Sequence, residues 1–421
     1  MDKLTEAMRM FENGQTNDAL KILQNLEKNA TDETTFDMAT LYQQYGFFEE
    51  AIKLLEGLHK KYPDEGQILV LLASLYIELE QDDLSIHLLN QINNTDDFYG
   101  QSLLLQADIY QSQGLFEVSE QKLLEAKEEM PDEFVVDFAL GELLFSIGQY
   151  KRAIPFYEKV LQKEKEINSI DIYERLAESQ ASLGNYEQAL ALYDELNSGH
   201  PDALFKHGIV AKQIKNNVKA IQVWEKLRKL DPHYYTVYEE LSQAMLDEGM
   251  VDEAYEVVQE GLAYDEYNKM LYLIGGKLAI KLSKLDEAVS MLKEAIALDN
   301  DFKDAIILLL KLLDDENNFA EMIILLNGLK ESGSEDPHYD WELAKAYIEE
   351  EKYDKALKSF DEAYTFLTHD SDFLLEFGYF LLEEGYMDRA INVFKLYQKL
   401  EPLDEEINDL LGRIKLSNES E

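Results

Sequence analysis

Apolar residues recur along this chain at spacings of three and four, drawing a stripe that stops at a short polar turn and starts again. The stretch Phe134 to Gln162 shows the unit clearly. Phe138, Leu140, Gly141, Leu144 and Phe145 predict one helix; Ala153, Ile154, Tyr157, Val160 and Leu161 predict a second, with Gly148-Gln149-Tyr150 turning between them. Neither stripe can be buried by its own helix, so the two close as a hairpin that still offers a face to its neighbours. Small Gly141 and Ala153 let the backbones approach, and Tyr157 is expected to fill the wider gap further along.

The pattern repeats. A small residue opens the second helix at Ala19, Ala51, Ser85, Ser119, Ala153, Ala189, Ala220, Ala254, Ala288, Met322, Ala356 and Ala390, and eight of the eleven intervals are 34 residues. Met322 alone is large. Five residues before each of these anchors the turn carries Gly14, Gly46, Glu80, Gly114, Gly148, Gly184, Lys215, Gly249, Ser283, Asn317, Glu351 or Gly385, as expected of a left-handed helix cap. Twelve residues before the anchors stand Ala7, Ala39, Ala73, Ala107, Gly141, Ala177, Gly208, Ser242, Gly276, Leu310, Ala344 and Gly378, small at every site but Leu310. Four residues after them come Leu23, Leu55, Leu89, Leu123, Tyr157, Tyr193, Trp224, Val258, Leu292, Leu326, Phe360 and Phe394, all large and apolar. Pro63, Pro131, Pro201, Pro232 and Pro402 stop helices twelve residues past their anchors.

With these residues in place the chain resembles the tetratricopeptide-repeat family, through GFFEEAIKLLEGLHKKYP (46–63), GNYEQALALYDEL (184–196), GMVDEAYEVVQEGL (249–262) and GYMDRAINVFKLYQKLEP (385–402). The resemblance runs from Leu4 to about Pro402 and implies an all-α, right-handed α-solenoid of about twelve helical hairpins. The aromatic that the family often carries early in the first helix is kept as Tyr173, Tyr238 and Tyr272 and replaced by Leu69 and Leu103. The unit ending in 317–329 departs most, with Leu310 and Met322 where small residues belong. Residues 405–416 read as a capping helix and Ser417 to Glu421 as a frayed polar tail.

The expected organisation is an N-terminal array over 1–162, an irregular sixth hairpin over 163–203, a C-terminal array over 204–402, and the cap and tail over 403–421. Two uneven intervals, 36 and 31 residues, place a possible joint near 162–203, with Lys163-Glu164-Lys165-Glu166 in the first and Asn197-Ser198-Gly199-His200-Pro201 in the second. The alternative is a longer and then a shorter loop in one stack. Nothing reads as a strand.

Composition narrows the partner. There are 85 acidic residues against 39 basic ones, a net charge of −46, and no cysteine. Such a surface repels phosphate backbones and anionic lipid and favours a basic partner; the alternative is that acidic faces serve only solubility. Absence of thiols fits a reducing compartment, and Met1-Asp2-Lys3-Leu4 begins without a secretory leader. The richest apolar runs, 68–77 and 305–313, are far short of the roughly twenty residues of a membrane span. A cytoplasmic, soluble protein without membrane insertion is expected.

No catalytic or ligand-binding motif stands out. His59, His87, His200, His207, His233, His338 and His369 show no ligand spacing. Gly275-Gly276 lies mid-helix without a phosphate-loop sequence, and acidic pairs such as Glu239-Glu240 are too common to signal catalysis. No enzyme activity, cofactor, metal or nucleic acid is expected.

The resemblance places partners on the concave face, lined by first helices. Counting 18, 15, 14 and 11 residues before each anchor gives Gln67, Val70, Leu71 and Ser74, then Gln101, Leu104, Leu105 and Asp108, then Val135, Phe138, Ala139 and Glu142. Asp171, Glu174, Arg175 and Glu178 make a charged middle. Leu273, Ile274, Ile307 and Leu308, followed by Trp341, form a second apolar strip, and Phe36, Phe138, Phe205 and Trp341 are the candidate anchors. No Lys-Asn pair occupies inward positions, so a clamp for C-terminal carboxylates is not expected. The resulting expectation is a scaffold or adaptor, like long acidic cytosolic bacterial proteins of the family, holding a basic or amphipathic protein segment. The alternatives are a homodimer that buries the strips on each other and an enzyme subunit dependent on a partner.

Overall fold

The structure, a computed structural model, describes residues 3–196, 199–334 and 336–418. It divides into two compact units, 1–216 and 217–421. The N-terminal unit holds α1 (Lys3–Glu12), α2 (Thr16–Glu27), α3 (Asp32–Gln44), α4 (Phe48–His59), α5 (Gly66–Glu78), α6 (Asp82–Leu89), α7 (Tyr99–Ser112), α8 (Phe116–Glu129), α9 (Phe134–Ser146) and α10 (Tyr150–Leu161), then strands β1 (Glu166–Ile167) and β2 (Ile170–Asp171), then α11 (Ile172–Ser182), α12 (Tyr186–Asp194) and α13 (Pro201–Gln213). The C-terminal unit holds α14 (Asn217–Leu230), α15 (Thr236–Asp247), α16 (Val251–Tyr264), α17 (Lys269–Lys281), α18 (Leu285–Leu298), α19 (Lys303–Asp315), α20 (Phe319–Glu331), α21 (Pro337–Glu349), α22 (Tyr353–Tyr364), α23 (Ser371–Glu383), α24 (Met387–Leu400) and α25 (Glu405–Asn418). Within each unit consecutive helices pack as antiparallel hairpins that stack on the next, the architecture of an all-α solenoid.

All twelve turn positions named from the sequence have positive φ, from Asn317 at 55° to Gly385 at 81°. Each closes the preceding helix with paired backbone bonds: Gly148 N–H donates to Phe145 O at 3.0 Å and Gln149 N–H to Leu144 O at 2.8 Å. Glu80, Lys215, Ser283, Asn317 and Glu351 take the same conformation with a Cβ, at φ of 55–59°. The geometry of the stack, not the residue, imposes the turn there.

Within each unit the three aligned sites meet in the core. Every anchor and every large residue four places on is buried. A Cβ added at Gly141 would lie 2.8 Å from the Tyr157 ring, one at Gly276 2.8 Å from Leu292, and one at Gly378 2.5 Å from Phe394. Tyr157 therefore sits directly over Gly141, not beyond it, because the missing side chain is the space its ring occupies. In α20 and α19 both small sites are bulky, Met322 and Leu310, and these helices touch more sparsely than α17 and α18. A cavity of about 960 Å³ opens beside them.

Two aspartates replace the early aromatic, and each is answered ten residues upstream. Asp137 is buried and accepts from Lys127 Nζ at 2.6 Å; Asp340 accepts from Lys330, which also reaches Glu362 at 2.5 Å. Each pair joins a second helix to the following first helix.

The 36-residue interval is spent on a feature absent from the sequence reading. β1 and β2 pair antiparallel, Glu166 opposite Asp171, around Asn168 and Ser169 at φ of 50° and 64°. Positive φ at both turn residues matches the twist of a tight hairpin. Helix α25 continues through Asn418, so Ser417 is helical and not part of a tail; residues 419–421, like Asn197 and Ser198, lie outside those described.

Candidate partner-binding groove

The expected inward residues divide by burial into three groups. Val70, Phe138, Leu273 and Ile274 are buried in the hairpin cores. Leu71, Leu104, Leu105, Phe205, Leu308 and Trp341 are half-buried; Asp108 is exposed, Val135 is 44% exposed and Ile307 is 61% exposed. Glu142, Glu174 and Glu178 are half-buried and engaged.

Those three carboxylates belong to a ladder across α9, α11 and α13. Arg175 Nε donates to Glu142 at 2.8 Å, and its Nη1 lies 3.4 Å from Glu178. Lys206 bonds Glu178 and stands 3.8 Å from Glu174. Arg175 also lies over the Phe145 ring at 4.8 Å, and Tyr157 donates to Glu142. Burial pushes the Glu174 carboxyl up, and the like charge of Glu178 adds to it. Burial and then the bond to Glu142 raise the Tyr157 phenol. This face of the N-terminal unit answers its own charges.

The C-terminal unit differs. The cavity beside α19 is lined from successive first helices by Ile307 and Lys311 of α19, His338, Glu342 and Lys345 of α21, and Glu376 and Tyr379 of α23, all at inward register positions. Leu310, Met322, Ile348, Phe360 and Phe380 supply its apolar floor. Trp341 touches two of the lining residues, its indole N–H donating to Glu376 at 2.6 Å while Lys345 lies over the ring at 5.1 Å. Lys303 donates to Asp336 at 3.0 Å. Burial works to raise the Asp336 carboxyl, but the bonds from Lys303 and His338 outweigh it and leave it below its ordinary value.

A further feature escaped the sequence reading. Asp314, Glu349 and Glu383 line the same cavity from the last turns of α19, α21 and α23, none of which carries a basic residue in its last turn. Carboxylates at a helix C-terminus oppose the helix dipole, typically by about 0.3–1 kcal/mol each. The signal was available: DDEN, EEEK and EEG end these helices at the capped turn.

Among the described residues no group of three or more His, Cys, Asp or Glu could hold a metal ion, and no helix is long and apolar enough to cross a membrane.

Comparison with known proteins settles the family. Family models described as "YpiA-like, tetratricopeptide repeats" and "YpiA-like, C-terminal tetratricopeptide repeats" match 111–165 and 337–404, and general tetratricopeptide-repeat models match 42–109, 144–209, 202–234 and 269–302. The chain is 39% identical to the TPR repeat-containing protein YpiA of Bacillus subtilis (strain 168), covering 98% of each. The chain belongs to the YpiA-like family of tetratricopeptide-repeat proteins. It is also 23% identical to the protein CTR9 homolog of Arabidopsis thaliana over 58% of this chain and 24% of that one. Among solved structures, YrrB, described as a TPR protein with an unusual peptide-binding site, is 19% identical with a TM-score of 0.40, covering 44% of this chain and 95% of that one. Naa15/Naa10 bound to HypK-THB is 15% identical with a TM-score of 0.44, covering 92% and 66%. Repeats of this family generally mediate protein–protein interaction.

Proposed function

We propose that the chain is a non-enzymatic, cytoplasmic scaffold that holds a basic, amphipathic protein segment in the groove of α19, α21 and α23. The cavity carries this reading: three successive first helices present an apolar floor and an acidic edge in one space. Ile307 and Trp341 are the apolar contacts, with Leu308 beside them, and the acidic side fits Lys or Arg. Exposed Val135 and half-buried Leu71, Leu104 and Leu105, edged by Asp108, offer a smaller accessory patch in the N-terminal unit.

The test is capture of partners on the immobilised chain. Ile307→Asp and Trp341→Ala should each remove the retained proteins, and high salt should release them from the wild type. Ile324→Asp, on the exposed face of α20, should retain them. Equal capture by all four chains would sink the groove. A tight dimer in light scattering, dissociated by Ile307→Asp, would instead favour self-assembly.

A further inference from the structure

We propose that the α14–α15 and α16–α17 connections form a second docking point, which seats an arginine side chain of a protein partner on exposed tyrosines and against Asp265. None of its residues lines the groove of α19, α21 and α23, and it does not rest on that reading. Three successive connections of the C-terminal unit are built alike. Eleven residues past the anchors Ala220, Ala254 and Ala288 stand Asp231, Asp265 and Asp299. Each carboxylate accepts from the N–H two residues on, at His233 (3.0 Å), Tyr267 (3.2 Å) and Asp301 (3.1 Å). Fifteen residues past the same anchors stand Tyr235, Lys269 and Lys303. Lys269 crosses to the next connection, where Asp299 accepts from it at 2.5 Å and the Phe302 ring lies 5.0 Å away. Lys303 crosses likewise to Asp336 at 3.0 Å. One connection earlier Tyr235 stands where the cation would be, and Asp265 has no ion pair among the described residues.

Aromatic rings gather at this place. His233 meets Tyr264 at 5.2 Å and Tyr235 at 6.1 Å, both edge-on, which holds the α14–α15 connection against the end of α16, one residue before Asp265. Tyr235 and Tyr264 are 45% and 41% exposed; Tyr267, two residues past Asp265, is 73% exposed and its hydroxyl bonds Glu266. Exposed tyrosine faces attract cations. A carboxylate beside them completes the ring-and-acid pair with which Phe302 and Asp299 hold Lys269. Arginine suits this place better than lysine, because its flat guanidinium stacks on a ring while its N–H edge forks to a carboxylate. The net charge of −46 draws a basic partner toward it.

The experiment uses the full chain and two capped Gly/Ser peptides of equal length, one bearing three arginines and the other three lysines, with no apolar residue for the groove to hold. Binding is read by anisotropy at low salt. Wild type should bind the arginine peptide about threefold tighter than the lysine peptide, as expected of one exposed, ring-stacked ion pair. Asp265→Asn, whose amide oxygen can still accept from the Tyr267 N–H, should erase that preference, and so should Tyr267→Ser. Tyr235→Lys should erase it too, because it gives Asp265 the cation that Lys269 gives Asp299. Trp341→Ala should keep it. All four variants should keep the wild-type circular dichroism.

Equal affinity of wild type for the two peptides, or binding of neither, would overturn the site. So would a preference for arginine that survives both Asp265→Asn and Tyr235→Lys. A preference lost in Trp341→Ala would assign the arginine to the groove and overturn the site at Asp265. Each of these results leaves the groove reading standing, since Ile307→Asp tests that one separately.

Discussion

Replacing Gly378 by alanine separates the packing rule of this fold from ordinary helix propensity. In an open helix the change should stabilise by about 1 kcal/mol, since glycine is the poorer helix former. In α23 the new Cβ would lie 2.5 Å from Cε1 of Phe394, with two more ring carbons at 2.7 and 2.8 Å. Carbon atoms pack best at about 3.5–4.0 Å, so ring or helix must shift by roughly 1 Å. The ring is fully buried and held edge-on to Tyr379 at 5.4 Å. Overpacking of this kind costs about 1–3 kcal/mol, of which the propensity gain offsets about 1. Gly378→Ala should therefore lower stability by up to about 2 kcal/mol in urea unfolding followed by circular dichroism. Gly328→Ala, on α20 with nothing near its Cβ, should raise it by up to about 1 kcal/mol. Adding Phe394→Leu to Gly378→Ala should cost less than the sum of the two changes, because the smaller side chain leaves room. If Gly378→Ala stabilises as much as Gly328→Ala, or the double variant is additive, the knob-in-glycine account of the hairpin is wrong.

Three further outcomes are expected. Glu351→Gly, at φ of 56°, should raise the unfolding midpoint, since left-handed backbone costs about 1–2 kcal/mol with a Cβ and glycine's added chain entropy offsets only part of that; a lowered midpoint would count against it. Arg175→Ala should lower the stability of the N-terminal unit by about 1–3 kcal/mol, because it takes the cation from half-buried Glu142, leaving only the Tyr157 hydroxyl, and uncovers Phe145, and a change below about 0.5 kcal/mol in urea unfolding would show the ladder to be ornamental. Glu174 has a folded pKa raised above its ordinary 4.5, so its ionised form opposes folding at neutral pH and the opposition fades as pH falls through the raised value. Glu174→Gln should thus be at least as stable as wild type at pH 7, with its advantage shrinking toward pH 4.5; a growing advantage would reverse the sign.

Most of the fold was legible because it rests on local, repeated requirements. A small residue, a large residue sixteen places later and a capped turn between them leave a periodic trace, and all twelve turns fell where that trace put them. Legibility failed where a long-range partner replaces the local rule. Asp137 and Asp340 look misplaced until Lys127 and Lys330 are seen against them. The strand pair at 166–171 uses only two residues on each side, too few for a periodic signal. The groove was legible as a register but not as a surface. Register alone cannot say that Val70 and Leu273 turn into the core, that Glu142 and Glu178 are taken by Arg175, or that bulky Leu310 and Met322 border a cavity instead of closing it.

The most direct test places a photo-crosslinking residue at Ile307 or at Ile324, which are 61% and 65% exposed on the two helices of one hairpin, and adds a lysine-bearing amphipathic peptide. Labelling from 307, abolished by Trp341→Ala, together with none from 324, is the expected result. Equal labelling from both positions, or labelling from 324 alone, would contradict the claim that this groove is where the chain holds its partner.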